Sequence, residues 1–372
     1  MFILGTDEAG YGPNLGPLVI SVSVWTADRD LDGTEMYKRL RPVVCQASNK
    51  KALKSAPGSF LLDDSKKLYK GRDTAGLKHL EYALLSALHS LDRLNNDAFF
   101  PDLFNALTIC NEQSYQLPPW EKTESTPLPI DADKSCLDET TAAFKRIQED
   151  SGIHLTDLRS DVVFPARFNA QCDALGNKST LLSKTTLNLL KSALKSCPGE
   201  TVVWCDKHGG RNFYADLLNE CFNESPEQQS VKNRNEKDDS DQLSLFDDCT
   251  DSDDCNNSNG LNDSFQDSSD FPPDFVEILE QSESISSYRF TWQGYVRTIH
   301  FQAKSDCSPP AALASIACKY LRELFMNQLN EYWQKKVPGL EPTAGYPVDA
   351  KRFLEQIRSE IDFPIDQLWR KK

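Results

Sequence analysis

Residues Met1–Leu18 read M-F-I-L-G-T-D-E-A-G-Y-G-P-N-L-G-P-L, and the remaining chain is most easily read outward from them. Apolar Phe2, Ile3 and Leu4 run into two adjacent acids, Asp7 and Glu8, after which Gly10, Gly12, Pro13, Gly16 and Pro17 mark a tight turn. A bare Asp-Glu pair is most simply a solvated turn, because exposed acids are the rule. Acids at the end of a buried strand are different: they cost free energy unless something compensates them, and divalent cations commonly do. The glycines would let another backbone, such as a sugar-phosphate chain, approach closely.

The organisation recurs downstream. Glu200–Asp206 reads E-T-V-V-W-C-D, a buried strand ending in Asp206 and followed by Gly209 and Gly210. Tyr295–Asp306 reads Y-V-R-T-I-H-F-Q-A-K-S-D, a strand pattern closing on Asp306. Adjacent strands lie about 4.8 Å apart, so three such strands side by side would gather Asp7, Asp206 and Asp306 on one edge. Glu8 would join them only if the chain leaves extended geometry there, because successive strand residues face opposite ways. Four converging carboxylates repel and raise each other's pKa unless cations neutralise them. Hard oxygen ligands suit Mg²⁺ or Mn²⁺, and a pair of such ions roughly 4 Å apart is suited to in-line phosphodiester displacement.

Composition narrows the setting. The 372 residues give either two domains or one domain with large insertions, and the second is our reading. The start has no basic n-region, and no run approaches the roughly twenty apolar residues of a membrane span, so a soluble, cytoplasmic protein without membrane contact is expected. Eleven cysteines with no C-x-x-C pair suggest reduced thiols and not a disulfide framework or zinc site. The net charge of -15 argues at first against a nucleic-acid partner. Yet 18 acids and only three bases fall between Glu224 and Glu283, leaving 38 of each sign elsewhere. Outside one segment the chain is neutral.

Along the chain, Pro17–Thr26 is a strand pattern able to pair back on the first strand. Asp63, Asp64 or Ser65 would cap a helix beginning near Leu68. Leu77–Leu91 and Thr180–Ser196 carry helical periodicity, Asn212–Phe222 should be helical, and Ala311–Met326 is a small-residue-rich helix suited to close packing on a sheet. Residues 93–150 form a poorly readable expansion. Residues 224–284 read as an acidic, low-complexity, disordered insertion with too little apolar content to repay ordering. The folded domain is therefore expected over 1–223 and 285–372. His208 reads as an exposed loop residue and not a proton carrier.

The opening stretch resembles the signature of ribonuclease HII, the type 2 ribonuclease H family: G-x-D-E-x-G-R-G-x-x-x-G-P is matched by Gly5, Asp7, Glu8, Gly10, Gly12, Gly16 and Pro17, with Tyr11 where the family has arginine. Four further blocks follow in order. Asp64–Leu68 matches D-S-K-x-L, and Asp206 falls on the strand carrying the third acid. Lys304–Asp306 with Ala314–Lys319 and Arg322–Glu323 follow K-A-D and A-A-S-I-x-A-K-x-x-R-D with a spacer one residue shorter. Gly345–Lys351 matches G-Y-x-x-D-x-K.

The resemblance implies an α/β, ribonuclease H-like fold, a five-stranded mixed sheet flanked by helices, plus a C-terminal helical region. It implies an endonuclease that hydrolyses the RNA strand of RNA/DNA hybrids with two divalent cations, Mg²⁺ or Mn²⁺; a monomer is our expectation. Asp7, Glu8, Asp206 and Asp306 would be the catalytic metal ligands. Gly10, Tyr11, Gly12, Ser65, Lys66 and Tyr346 would contact substrate, whose 2'-hydroxyl distinguishes RNA from DNA. Two other readings stand beside it: a catalytically altered or inactive hybrid-binding member of the fold, and a metal-dependent phosphohydrolase for small substrates, which would not need the D-S-K and G-Y-P blocks.

Overall fold

The computed structural model describes residues 1–371 except 55, 71–75, 109–116, 123–125, 224–274 and 304–307. In chain order, β1 (Phe2–Ala9) and β2 (Leu18–Thr26) lead to α1 (Gly33–Leu40), the short strands β3 (Val44–Cys45) and β4 (Phe60–Leu61), and the single-turn α2 (Ser65–Leu68). Then come α3 (Lys78–Ser90), α4 (Phe100–Leu107), α5 (Lys134–Ser151), β5 (His154–Val163), α6 (Pro165–Leu175) and α7 (Lys178–Leu194). The chain continues through β6 (Thr201–Asp206), α8 (Ala215–Phe222), β7 (Glu277–Gln281), β8 (Ile285–Trp292), β9 (Tyr295–Gln302), α9 (Pro309–Lys336) and α10 (Pro347–Ile357).

Successive residues of a strand face opposite sides of its sheet, and Ile3 and Leu4 accordingly enter different cores. Ile3 joins Val19, Trp25, Leu84, Leu103, Phe144 and Ile316 on the face covered by α3, α4, α5 and α9. Leu4 joins Ile20, Val22, Leu181, Leu190 and Val203 on the face covered by α7 and α8. The hardly readable stretch 93–150 thus supplies core: Leu103 and Phe144 are buried, and Phe60 packs edge-on against Phe144 at 5.4 Å.

The main sheet runs β5-β2-β1-β6-β9-β8-β7. β1 pairs antiparallel with β2 and parallel with β6, and β6 is parallel to β9. This is a mixed sheet flanked by helices, but among the described residues it has seven strands and not the five that the resemblance implies. The β8–β7 pair extends it beyond β9. All five residues of β7 are exposed, so backbone pairing to β8 holds the strand and no apolar alternation announces it. β7 falls within the segment 224–284 read as insertion; residues 224–274 of that segment lie outside the described residues, whereas Val276 is buried and the domain resumes there.

The 28-residue α9 lies across the centre of the sheet, with Ala311, Ala312, Ala314, Ser315, Ala317 and Cys318 buried. Gly5 is what lets it approach: a Cβ at Gly5 would stand 2.1 Å from the Ala311 nitrogen and 2.4 Å from the Pro310 carbonyl carbon. Ser23 fixes the same contact by donating to the Pro310 carbonyl at 2.7 Å. Beyond α9, a third apolar cluster of Leu15, Trp333, Phe353, Ile357 and Leu368 forms the C-terminal helical region around α10. No helix among the described residues is long and apolar enough to cross a membrane.

Candidate active site

Asp7 and Asp206 stand at the carboxyl ends of neighbouring parallel strands. β1 pairs Gly5 with Trp204, and the same register carried two residues further sets Asp7 level with Asp206. Burial pushes the Asp7 carboxyl up to about 7, and the Asp206 charge adds to it, while hydrogen bonds from Ser315 and the Glu8 backbone and the Lys66 ammonium work against it. Burial likewise pushes Glu8 up to about 8, assisted by the charges of Asp7 and Asp206 and opposed by Lys66. Lys66 is shifted upward: burial, which alone would lower it, is outweighed by Asp64, Asp7, Glu8 and Asp206. Three carboxylates and one ammonium therefore share one electrostatic neighbourhood at the end of β1 and β6.

The convergence is incomplete. β1 stays paired with β2 through Ala9, Glu8 opposite Ile20, so the chain does not leave extended geometry at Glu8 as expected. Asp7 and Glu8 therefore occupy opposite-facing positions of the strand. Consistently, no three His, Cys, Asp or Glu side chains among the described residues stand close enough together to hold a metal ion. Asp306, named as the fourth ligand, lies outside the described residues, as do Lys304 and Ser305. The donor set itself is all hard oxygen, and two of its members are raised chiefly by burial, a shift that Lys66 only partly offsets; such oxygens suit a divalent cation of the Mg²⁺ or Mn²⁺ type.

The D-S-K segment reaches the acids through α9. Asp63 is buried and accepts from the Ala47 and Asp64 amides and, at 2.8 Å, from the Lys67 ammonium, which pins the loop before α2. Asp64 caps the turn by accepting from the Lys66 amide at 3.0 Å. The buried Ser65 donates its amide to the Ser315 hydroxyl oxygen at 3.2 Å, with the two hydroxyls 2.9 Å apart, and Ser315 in turn hydrogen-bonds the Asp7 carboxyl. Ser315, absent from the sequence-derived site, thus links α2 to β1. Its only sequence signal was its place in the A-S-I-A block.

The turn after β1 is held from within. Gly10 has φ +89°, where a side chain would be strained, and its Cβ would meet the Pro17 carbonyl oxygen at 2.4 Å. Gly12 is different: a Cβ there meets nothing within 4 Å, so neither packing nor conformation requires glycine. Asn14 and Leu15 donate their amides to the Gly345 carbonyl, and Arg322 donates to the Ala344 carbonyl at 3.0 Å. These bonds bring Tyr346, 58 % exposed at the start of α10, beside the turn.

Tyr11 does not lack a cation. Lys178 lies 4.8 Å from its ring centroid, and the hydroxyl would be 3.1 Å from a Cβ on Gly209. Burial raises the phenol, with the Glu8 charge adding and Arg211 opposing. Lys178 and Arg211 come from the first turn of α7 and the loop after β6, distant in sequence from the motif, and were not among the expected site residues. His208 is not exposed, contrary to expectation. It is 2 % exposed, its Nδ1 lies 3.1 Å from the Ser183 hydroxyl, and burial holds it down at about 3. It is a neutral core side chain packed on Tyr214 and Phe301.

No family model matches this sequence, and no curated protein matches it. Solved structures do, at probability 1.00. They include the ribonuclease H2 of Pyrococcus horikoshii OT3, with TM-score 0.40 and 15 % identity over 100 % of this chain and 92 % of that one. Another is the RNase HII of Archaeoglobus fulgidus in a complex with PCNA, with TM-score 0.40 and 12 % identity over 100 % and 95 %. A third is Bst-RNase HIII in complex with Mn²⁺, with TM-score 0.36 and 14 % identity over 100 % and 66 %.

Proposed function

We propose that this chain is a ribonuclease H-type endonuclease that hydrolyses the RNA strand of RNA/DNA hybrids, leaving a 3'-hydroxyl and a 5'-phosphate. The observation that carries the reading is the set of under-compensated carboxylates at the carboxyl end of two adjacent parallel strands, with Asp7 and Glu8 raised to about 7 and 8 beside Asp206. Asp7, Glu8, Asp206 and, from outside the described residues, Asp306 would hold two divalent cations. When bound, such ions supply the positive charge that in-line displacement at phosphorus needs.

The chain's own groups have the remaining tasks. Ser315 hydrogen-bonds the Asp7 carboxyl and would hold it in place for the site. Lys66, exposed at the mouth, offers a cation to a substrate phosphate. The backbone of Gly10–Gly12 lies against the sugar, and Gly12 has no side chain because substrate needs the space. The exposed Tyr346 ring covers the other side of that sugar. Ser65 acts through Ser315 and positions Asp7.

A second reading, a hybrid-binding protein without cleavage, draws on the opposite-facing positions of Asp7 and Glu8 and on the lack of a three-carboxylate cluster among the described residues. Cleavage of an end-labelled RNA/DNA hybrid in Mg²⁺ and in Mn²⁺ separates the two. Turnover by the unmodified chain, with Asp7→Asn reducing it by about a thousandfold or more while hybrid binding persists, supports the nuclease. Binding without turnover in either metal leaves the second reading, and near-normal turnover by D7N removes Asp7 from the site.

A further inference from the structure

Arg370, two residues from the end of the sequence, is one of the largest fully buried side chains, with 1 % exposure. Among the described residues it makes no ion pair. Its guanidinium instead donates to backbone carbonyls 357 and 360 residues away: Nε to Pro13 at 3.0 Å, and Nη2 to Gly10 at 2.5 Å and also to Pro13. Both carbonyls belong to the turn after β1. The backbone around Arg370 grips the same turn, since its amide donates to the Asn14 carbonyl at 2.9 Å and its own carbonyl accepts from the Asn14 side chain at 3.0 Å.

The tail that delivers Arg370 is itself fastened. Asn169 on α6 donates to the Asp366 and Trp369 carbonyls and accepts the Lys371 amide at 2.7 Å. The guanidinium lies over the Phe168 ring at 4.5 Å. A buried guanidinium without a carboxylate is expensive, and apolar residues of like size would fill the space at lower cost. Retaining the charge makes sense if the direction of those carbonyls matters.

Direction is what it controls. The Gly10–Tyr11 peptide is trans, so when the Gly10 oxygen points inward to Arg370 the Tyr11 N–H points the opposite way. Among the described residues that N–H has no hydrogen-bond partner. We infer that Arg370 is a positioning residue that turns the Tyr11 amide outward as a preset donor to the sugar of the RNA strand. The inference rests on the proposed hybrid substrate and adds to it the element that orients sugar recognition.

The test uses the full chain with Arg370→Met, which keeps length and removes every donor, and Arg370→Lys, which restores charge. Turnover is measured on an RNA/DNA hybrid in Mg²⁺. Sugar preference is measured as the ratio of affinities for hybrid and for DNA duplex of the same sequence, with D7N added to prevent cleavage. R370M should lower kcat by about a hundredfold, the scale of a small misplacement in a preorganised site. It should also bring the sugar preference toward unity while keeping the Mg²⁺-induced rise in melting temperature. R370K should recover part of both losses. Unchanged sugar preference in R370M overturns the inference, as does failure of R370K to fold, which would make Arg370 a folding residue. If the unmodified chain shows no hybrid preference at all, the functional reading fails first, and that outcome is distinct from normal wild-type preference with indifferent variants.

Discussion

A carboxyl raised by burial and by a neighbouring carboxylate holds its proton to a higher pH in the folded chain than in the unfolded one, and this fixes how stability should respond to pH. Glu8 is raised to about 8 by burial first and by Asp7 and Asp206 next. Its folded-state pKa lies above its unfolded one, so the folded state binds the extra proton. The resulting stabilisation is fully present below the ordinary carboxylate range and is lost as pH rises through about 8. His208 runs the other way: held at about 3 when folded, it opposes folding only where the unfolded imidazole is charged, and its effect is over above about pH 6.5. Metal-free protein in EDTA should therefore lose melting temperature between about pH 6.5 and 8.5, Glu8→Gln should flatten that slope, and the Mg²⁺-induced rise should grow over the same interval. Melts across that range check it; a melting temperature that climbs with pH in EDTA would remove the charge cluster as its cause. At this scale the sequence was readable where chemistry was local. Asp7, Glu8 and Asp206 announce themselves by ending apolar runs. The burial of His208 and the grip of Arg370 on Pro13 depend on elements far apart in the chain, and no local pattern carries them.

Elements show the same division. The helices over Lys78–Ser90, Lys178–Leu194 and Pro309–Lys336 follow apolar periodicity that each segment carries by itself. β7 carries none, because its five exposed residues hold place through pairing with β8, helped by Gln281 donating to the Tyr288 hydroxyl at 2.9 Å. The two glycines of the opening motif separate packing from function. Gly5→Ala would put a methyl 2.1 Å from the Ala311 backbone, which cannot yield without moving α9, and Ser315 moves with it. Overpacking of this kind costs about 1–3 kcal/mol, so G5A should lower both the denaturation midpoint and turnover. Gly12→Ala meets nothing within 4 Å and should leave the midpoint unchanged. Its effect should fall on hybrid affinity alone. Chemical denaturation and binding measured on both variants decide it: G5A with an unaltered midpoint would mean that α9 does not rest on Gly5, and G12A with unaltered affinity would mean that substrate does not approach there.

At the scale of the whole molecule, cores on both faces of one sheet hold the acids at its middle, and charge is distributed very unevenly around that arrangement. Residues 224–274 contain 15 acids and three bases, so removing them takes the formal net charge from -15 to -3. Few apolar residues occur among them, whereas Val276 and β7, immediately after, belong to the sheet. The boundary of a tolerable deletion is therefore 274 and not 284. Replacing 224–274 by a short Gly-Ser linker should leave the melting transition within a degree or two, on the scale of exposed-loop changes. Nucleic acid is repelled by the same acids at distances set by screening, about 8 Å at physiological salt and about 30 Å at 0.01 M. The deletion should therefore tighten hybrid binding by about an order of magnitude at low ionic strength and hardly at all at high salt, with a shallower recovery of affinity on dilution of salt in the full chain than in the shortened one. Titrations of both proteins against one hybrid across a salt series read this directly. Parallel salt dependences would show that the acidic segment does not act on the binding face through its charge, and a shortened chain that melts early would show that the segment contributes to the fold.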